Sequence, residues 1–187
     1  MGVYPAKLYV VPDGQAPRRM SEGAAGDDCF VRAVVDSREL DLAHPARWKS
    51  VFSFVAGESI DLYPRKLDPE TGFLMYGLQP GEVIAVGLGF VLEVPKTLRY
   101  RFLPRSSTTR SRLLVTNAPV PFDSDYRGEA VIGLENAGAE MFFIRYGMRL
   151  VQLVFEVVPE VDITLVHDFG DLTPTPRGHK GLGSTGQ

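Results

Sequence analysis

Three short stretches of this sequence carry residues whose types and order suit phosphate chemistry. In Phe122-Asp123-Ser124-Asp125-Tyr126-Arg127-Gly128-Glu129, acidic, hydroxyl and glycine residues form a turn between strand-like runs. Asp123 offers a carboxylate that can activate a water, and Tyr126 offers a ring to pack on a sugar or base. The same residues would also suit an ordinary polar hairpin loop. In Pro104-Arg105-Ser106-Ser107-Thr108-Thr109-Arg110, a Pro-led turn enters a helix with hydroxyls at its start and arginines at both ends. Free N–H groups at a helix start favour an anion, although Ser106 or Ser107 could equally be a plain cap. The third stretch is the C-terminus, where Arg177 precedes Gly178, Gly181, Gly183, Ser184, Thr185 and Gly186. Glycines let the main chain approach an anion, and Arg grips phosphate through paired hydrogen bonds. A frayed tail has the same composition.

The rest of the composition narrows the class. With 187 residues, 44% hydrophobic and 23% charged, the chain reads as one ordinary globular domain. A formal charge of −3 gives no general reason to expect nucleic acid or anionic membrane as partner, so a phosphate site must be local. Cys29 is the only cysteine, which excludes an intrachain disulfide and a Cys-rich zinc site. His44, His167 and His179 lack ligand-like spacing. No charged leader followed by an apolar run opens the chain, and no apolar stretch reaches membrane-spanning length. A reduced, cytoplasmic setting is expected.

The elements that must position these residues are strands. Short apolar runs lie at Lys7–Val11, Val31–Val35, Phe73–Tyr76, Val83–Val86, Gly89–Val94 and Leu98–Leu103. More follow at Leu113–Thr116, Ala130–Leu134, Met141–Ile144, Leu150–Val158 and Ile163–Val166. The 19 glycines and 14 prolines fall mostly between the runs, as many tight turns require. The pattern predicts an all-β barrel or jelly roll, with Ser106–Arg112 as its one short helix. The expected layout is a single β domain over residues 1–172 and a flexible C-terminal arm over 173–187. Residues 36–77 are poorly patterned and read as an insertion with a hairpin of its own, or as long loops.

Taken together, the motifs resemble the trimeric dUTPase family. Five segments stand in that family's order: Ala25-Gly26-Asp27-Asp28; Pro104-Arg105-Ser106-Ser107; Asn117 through Gly128; Tyr146-Gly147-Met148-Arg149-Leu150-Val151-Gln152-Leu153; and Arg177 through Gly186. The resemblance implies a jelly-roll-like β fold, a homotrimer with sites between subunits, and hydrolysis of dUTP to dUMP and pyrophosphate with Mg²⁺. Asp123 would activate the water that attacks the α-phosphorus. Tyr126 would pack under the deoxyribose and disfavour a 2′-hydroxyl. Asn117 and the hairpin backbone would read uracil. Arg105, Ser106, Ser107 and Gln152 would hold phosphate oxygens. The arm would fold over the nucleotide, with Leu182 covering the base and Arg177, Ser184 and Thr185 near the terminal phosphate. Mg²⁺ would ride mainly on the triphosphate, with Asp28 reaching its outer shell through water.

The sequence departs from the pattern in three places. Leu182 stands where the family's arm usually has a stacking Phe, Val120 stands where Gly is favoured, and residues 36–77 exceed what the family needs. The related dCTP deaminases share the fold, and Phe73 through Glu82 and Arg105-Ser106-Ser107-Thr108-Thr109-Arg110 resemble their segments. Their proton-shuttling Glu registers with Gly133, however. Glu135 lies two residues on, on the same strand face and about 7 Å away, unless a bulge intervenes. A further alternative is a dUTPase-like binding protein that uses 36–77 to engage a regulatory partner.

Overall fold

Strand formation follows the apolar alternation closely. The computed structural model describes residues 3–41, 46–55, 66–119, 121–176 and 178. Within them lie β1 (Lys7–Val10), β2 (Asp27–Phe30), β3 (Ala33–Leu40), β4 (Trp48–Ser53), β5 (Lys66–Leu67), β6 (Leu74–Leu78) and β7 (Val83–Gly87). They are followed by β8 (Phe90–Glu93), β9 (Leu98–Pro104), the helix α1 (Ser106–Arg110) and β10 (Leu113–Val115). Then come β11 (Pro121–Phe122), β12 (Val131–Asn136), β13 (Phe142–Ile144), β14 (Arg149–Val157) and a 3₁₀ turn at Phe169–Asp171. The expected all-β, jelly-roll-type architecture with one short helix is what the chain adopts.

Two sheets frame the site. One runs β10-β12-β7-β3-β4 and the other β11-β9-β14-β2, with smaller sheets β1-β8 and β13-β6-β5, every pairing being antiparallel. Alternation decides what each strand buries. On β9, Leu98, Tyr100 and Phe102 point inward while Arg99 and Arg101 face outward and pair with Glu156 of β14. On β12, Ile132, Leu134 and Asn136 are buried while Val131, Gly133 and Glu135 stand half-exposed on the other face. The core gathers Phe54, Leu78, Leu88, Phe90, Tyr100, Ile132 and Leu134. Each large side chain of this kind removed from water contributes about 1.5–3 kcal/mol.

The core reaches up into the loop that carries Asp123. Phe122 stacks on Tyr100 at 5.0 Å and 9°, and meets Phe102 edge-on at 5.2 Å. β11 pairs with β9 through Pro121↔Arg101 and Phe122↔Tyr100. Asp123 therefore leaves from a residue fixed on both its strand and its ring.

The expectation at Ile163–Val166 is corrected: no strand forms there. The residues alternate properly, but a strand needs an edge to pair with, and none in the described chain meets this segment. Val161, Ile163 and Leu165 are left exposed at 67%, 85% and 77%. Four strands escaped the sequence reading. β2 begins with two aspartates, β4 lies in the poorly patterned 36–77, and β5 and β11 are two residues each.

Cys29 sits inside β2 with no exposure, and burial pushes its thiol far above the ordinary range. The thiolate is the reactive form, so the folded protein should resist alkylation. Iodoacetamide at neutral pH is expected to label denatured protein readily and native protein hardly at all. Rapid native labelling, followed by mass spectrometry, would contradict this packing.

Candidate active site

The first cluster is built on β2. Asp28 is 1% exposed, and a carboxylate that deep needs partners. Its Oδ1 accepts from Gln152 Nε2 at 3.0 Å and pairs with Arg105 Nε at 3.1 Å, while Oδ2 pairs with Arg149 Nη1 at 3.1 Å. Two guanidiniums and an amide are thus held side by side by one buried charge.

Arg149 and Gln152 lie three apart on β14, and in a regular strand they would point to opposite faces. The β14–β2 register shifts between them: Arg149 opposes Phe30, yet Gln152 opposes Asp28. The irregularity restores the parity, so both side chains reach Asp28. Carbonyls near the shift find partners in the helix segment. Leu150 O accepts from Arg105 N at 3.0 Å and from Thr108 Oγ1 at 2.7 Å, and Arg149 O accepts from Arg105 Nη1 at 3.3 Å. Ser106 and Ser107 remain exposed at the start of α1. Beside them opens a cleft of about 380 Å³, lined among others by Arg105, Ser107, Arg145 and Arg149. Asp68 and Glu70 line the same cleft and pair with Arg145 at 3.8 and 3.3 Å, so Arg105 and Arg149, beside Ser107, are the groups placed to meet an anion there.

The second cluster surrounds the loop after β11. Asp123 is exposed, and its carbonyl accepts from Tyr126 N at 3.1 Å, closing a tight turn. Tyr126 packs near Phe122 at 5.7 Å, and its hydroxyl donates to Glu129 O at 2.9 Å. The ring folds back over Gly128 so closely that a Cβ there would lie 2.6 Å from Cζ. Burial raises the Tyr126 phenol above its ordinary value, the Trp48 indole lowers it in part, and the Glu129 charge raises it. The hydroxyl therefore stays protonated at neutral pH. Asn117 accepts from Gly133 N at 2.9 Å and donates to Val131 O at 3.3 Å, which pins the loop to β12. One amide hydrogen of Asn117 remains for a base.

Behind this loop lies a buried ion pair that the sequence reading missed. Glu129 is fully buried, and Arg32, 3% exposed, grips it at 2.7 and 2.8 Å. Glu129 also accepts from Trp48 N at 3.0 Å and Gly89 N at 2.9 Å. A signal was present: Arg32 interrupts the apolar run Cys29-Phe30-Val31-Arg32-Ala33-Val34-Val35, so it had to be buried with a partner. Arg149 was also overlooked as a partner of Asp28 beside the cleft.

Of the expected site residues, the structure brings Asp28, Arg105 and Gln152 together, with Ser106 and Ser107 adjoining, and gathers Asn117, Asp123 and Tyr126 around one loop. Among the described residues no hydrogen bond or ion pair joins these two groups. Arg177, Leu182, Ser184, Thr185 and Val120 lie outside the described residues. No group of three or more His, Cys, Asp or Glu suited to a metal occurs among the described residues.

Comparison with known proteins places the geometry in a family. A model of the dUTPase family matches residues 75–186. The deoxyuridine 5'-triphosphate nucleotidohydrolase of Leptospira interrogans is 42% identical over 110 residues, covering 58% of this chain and 74% of that protein. Among solved structures, a mutant dUTPase of Staphylococcus bacteriophage 80alpha with dUpNHpp aligns with a TM-score of 0.68 at 16% identity, covering 98% of this chain and 99% of that one. A mutant dUTPase of phage phi11 of S. aureus, described for its coordination of a structural Mg(II) ion, aligns at a TM-score of 0.60 and 14% identity, over 88% of this chain and 98% of that one.

Removing one partner of a buried ion pair strands the other charge. Arg32→Met should destabilise the fold by about 3–5 kcal/mol, read from urea unfolding. A loss under about 1 kcal/mol, the range of exposed pairs, would mean that Glu129 does not depend on Arg32.

Proposed function

Because the chain belongs to the dUTPase family, it hydrolyses dUTP to dUMP, and we propose that Asp123 is the base that activates the attacking water. The observation that carries the reading is the buried Asp28 carboxylate holding Arg105, Arg149 and Gln152 beside the cleft. A triphosphate is the ligand whose charge and length use such a row. Arg105, Ser106, Ser107 and Gln152 bind its oxygens, which positions the α-phosphorus for in-line attack. Asp123 takes the water's proton, and pyrophosphate leaves.

Tyr126 lies under the deoxyribose, its hydroxyl occupied by Glu129 O, so that its ring presents an apolar face where a 2′-hydroxyl would sit. Asn117 fixes the hairpin whose backbone reads uracil, and its spare amide hydrogen adds one contact. The arm over 173–187 closes on the bound nucleotide, with Leu182 over the base and Arg177, Ser184 and Thr185 at the terminal phosphate. Closure of this kind keeps bulk water from the reacting centre.

The residues fit Mg²⁺ indirectly. The ion would be carried mainly by the triphosphate. Asp28 Oδ2 accepts one bond from a described residue, which leaves it room to take one water from the ion's outer shell. Bound there, Mg²⁺ neutralises phosphate oxygens and fixes their geometry.

We also propose a homotrimer in which each site draws on more than one copy. Two observations support it. The loop of Asp123 and the cluster of Asp28 make no direct polar contact within the described chain, and the exposed apolar residues Val161, Ile163 and Leu165 follow β14 without a partner edge. The domain boundary near 172 and a cytoplasmic location belong to the same reading, the latter resting on the buried, unpaired Cys29.

The test is a product assay with Mg²⁺ and a panel of dUTP, dCTP and 5-substituted deoxyuridine triphosphates. dUMP and pyrophosphate from dUTP alone are expected, and dUTP appearing from dCTP would overturn the assignment. Asp123→Asn should lower kcat by about 10²–10⁴-fold. Near-full turnover in that variant would remove Asp123 from the role. Ending the chain before Arg177 should cut turnover strongly and leave the melting temperature almost unchanged. A matching fall in melting temperature would make the arm part of the fold and not a lid.

A further inference from the structure

Trp48 opens β4 within the stretch 36–77, to which no part of the reaction has been assigned, and it is the only tryptophan in the chain. It makes two bonds to one residue. Its backbone N–H donates to Glu129 Oε2 at 3.0 Å, and its indole Nε1–H donates to Glu129 O at 2.9 Å. That carbonyl is also the acceptor of the Tyr126 hydroxyl, at 2.9 Å. A carbonyl oxygen has two lone pairs, and Trp48 and Tyr126 together use both. Arg32 closes the arrangement from behind: it grips the Glu129 carboxylate and also donates to Trp48 O at 3.3 Å and Ser50 Oγ at 3.0 Å.

We propose that Trp48 is a positioning residue that fixes the pose of Tyr126, and through it the preference for 2′-deoxyribose over ribose. The inference rests on the reading of Tyr126 as the sugar platform. Three supports define that ring: Phe122 at its side, Gly128 beneath it, and the Glu129 carbonyl at its hydroxyl. The first two resist motion towards the protein. Only the third fixes the ring's tilt, and the Glu129 peptide owes its orientation to Trp48 as well as to the buried carboxylate. Exclusion of a single hydroxyl depends on the platform not yielding, because a ring that tilts by a fraction of an ångström makes room for it. The stretch 36–77 thereby gains a role in the site, since its strand β4 braces the active-site loop from the side away from substrate.

The experiment compares kcat/KM for dUTP and UTP in four proteins: wild type, Trp48→Phe, Tyr126→Phe and the double variant. Trp48→Phe keeps an aromatic ring and loses the donor. Its expected effect is a UTP-to-dUTP ratio of kcat/KM raised about tenfold, the size of one net hydrogen bond. Trp48 acts through the shared carbonyl, so the two substitutions should be non-additive: Trp48→Phe changes the ratio little once the Tyr126 hydroxyl is gone. A merely structural Trp48 would instead give additive effects, and additivity or an unchanged ratio overturns the proposal while dUTP hydrolysis stands. Wild type that fails to turn over dUTP would instead overturn the reading of the site itself. Should Trp48→Phe not fold, the wild type supplies the measurement, because all tryptophan emission comes from position 48. Saturation with the imido analogue dUpNHpp should shift that emission, and in Tyr126→Phe the shift should shrink. Binding seen by calorimetry with no change in emission overturns the proposal.

Discussion

The fold depends on a carboxylate that has no water. Glu129 is wholly buried, and its two oxygens are satisfied by Arg32 twice, by Trp48 N and by Gly89 N. Those donors come from the link between β2 and β3, from the start of β4 and from the turn between β7 and β8. Burying such a pair yields little net stability, since desolvation offsets most of the attraction, but each missing donor would be costly. The pair therefore acts as a register lock: the separate stretches of chain must arrive together or Glu129 cannot be buried. The loop of Asp123 and Tyr126 is set by that requirement, because Glu129 is its last residue and Tyr126 bonds to the Glu129 carbonyl.

A second buried charge does the same at the phosphate end. Asp28 lies four residues before Arg32, so one short segment supplies the acid that gathers Arg105, Arg149 and Gln152 and the base that holds the loop of Asp123 and Tyr126. Opposite charges at the two positions give each end of the site its own electrostatic sense. Around Asp28 two guanidiniums share one carboxylate, while Asp68 and Glu70 across the cleft are met by Arg145. Around Glu129 charge is balanced and buried, which holds the adjoining loop still. The register shift in β14 is the geometric counterpart: without it Arg149 and Gln152 would lie on opposite faces, and Asp28 could hold only one of them.

Much of this was legible in the sequence, and what was not has a common cause. Alternation revealed β9, β12 and β14 because their periods are local. Asn117, Asp123 and Tyr126 were singled out by the family resemblance, and their grouping within one loop is likewise local. The Arg32–Glu129 pair spans 97 positions, and nothing near either residue names the other. β4 hid for a related reason: its burial alternates, but polar Ser50 stands on the inner side to serve Arg32 and apolar Val51 on the outer, so the residue types do not. At Ile163–Val166 the error ran the other way, since alternation is a property of the segment whereas strand formation is a property of the pair.

The strand β12 decides between hydrolysis and its nearest rival. A deaminase would need a carboxylate at the position of Gly133, and a Cβ there would collide with Thr116 Oγ1, whose side chain fills the space. Glu135 shares that face but stands two residues away, roughly 7 Å along the strand. Only a bulge could bring it back, and the pairing excludes one. β12 runs in unbroken register with β7 from Val131↔Gly87 to Glu135↔Val83, and with β10 from Leu113↔Asn136 to Val115↔Leu134. A strand tied on both edges cannot slip by two residues without losing the register of both ladders. β12 thus brings no carboxylate to position 133. On the reading proposed for Asp123, proton transfer falls instead to that exposed carboxylate, which follows the fixed end of β11.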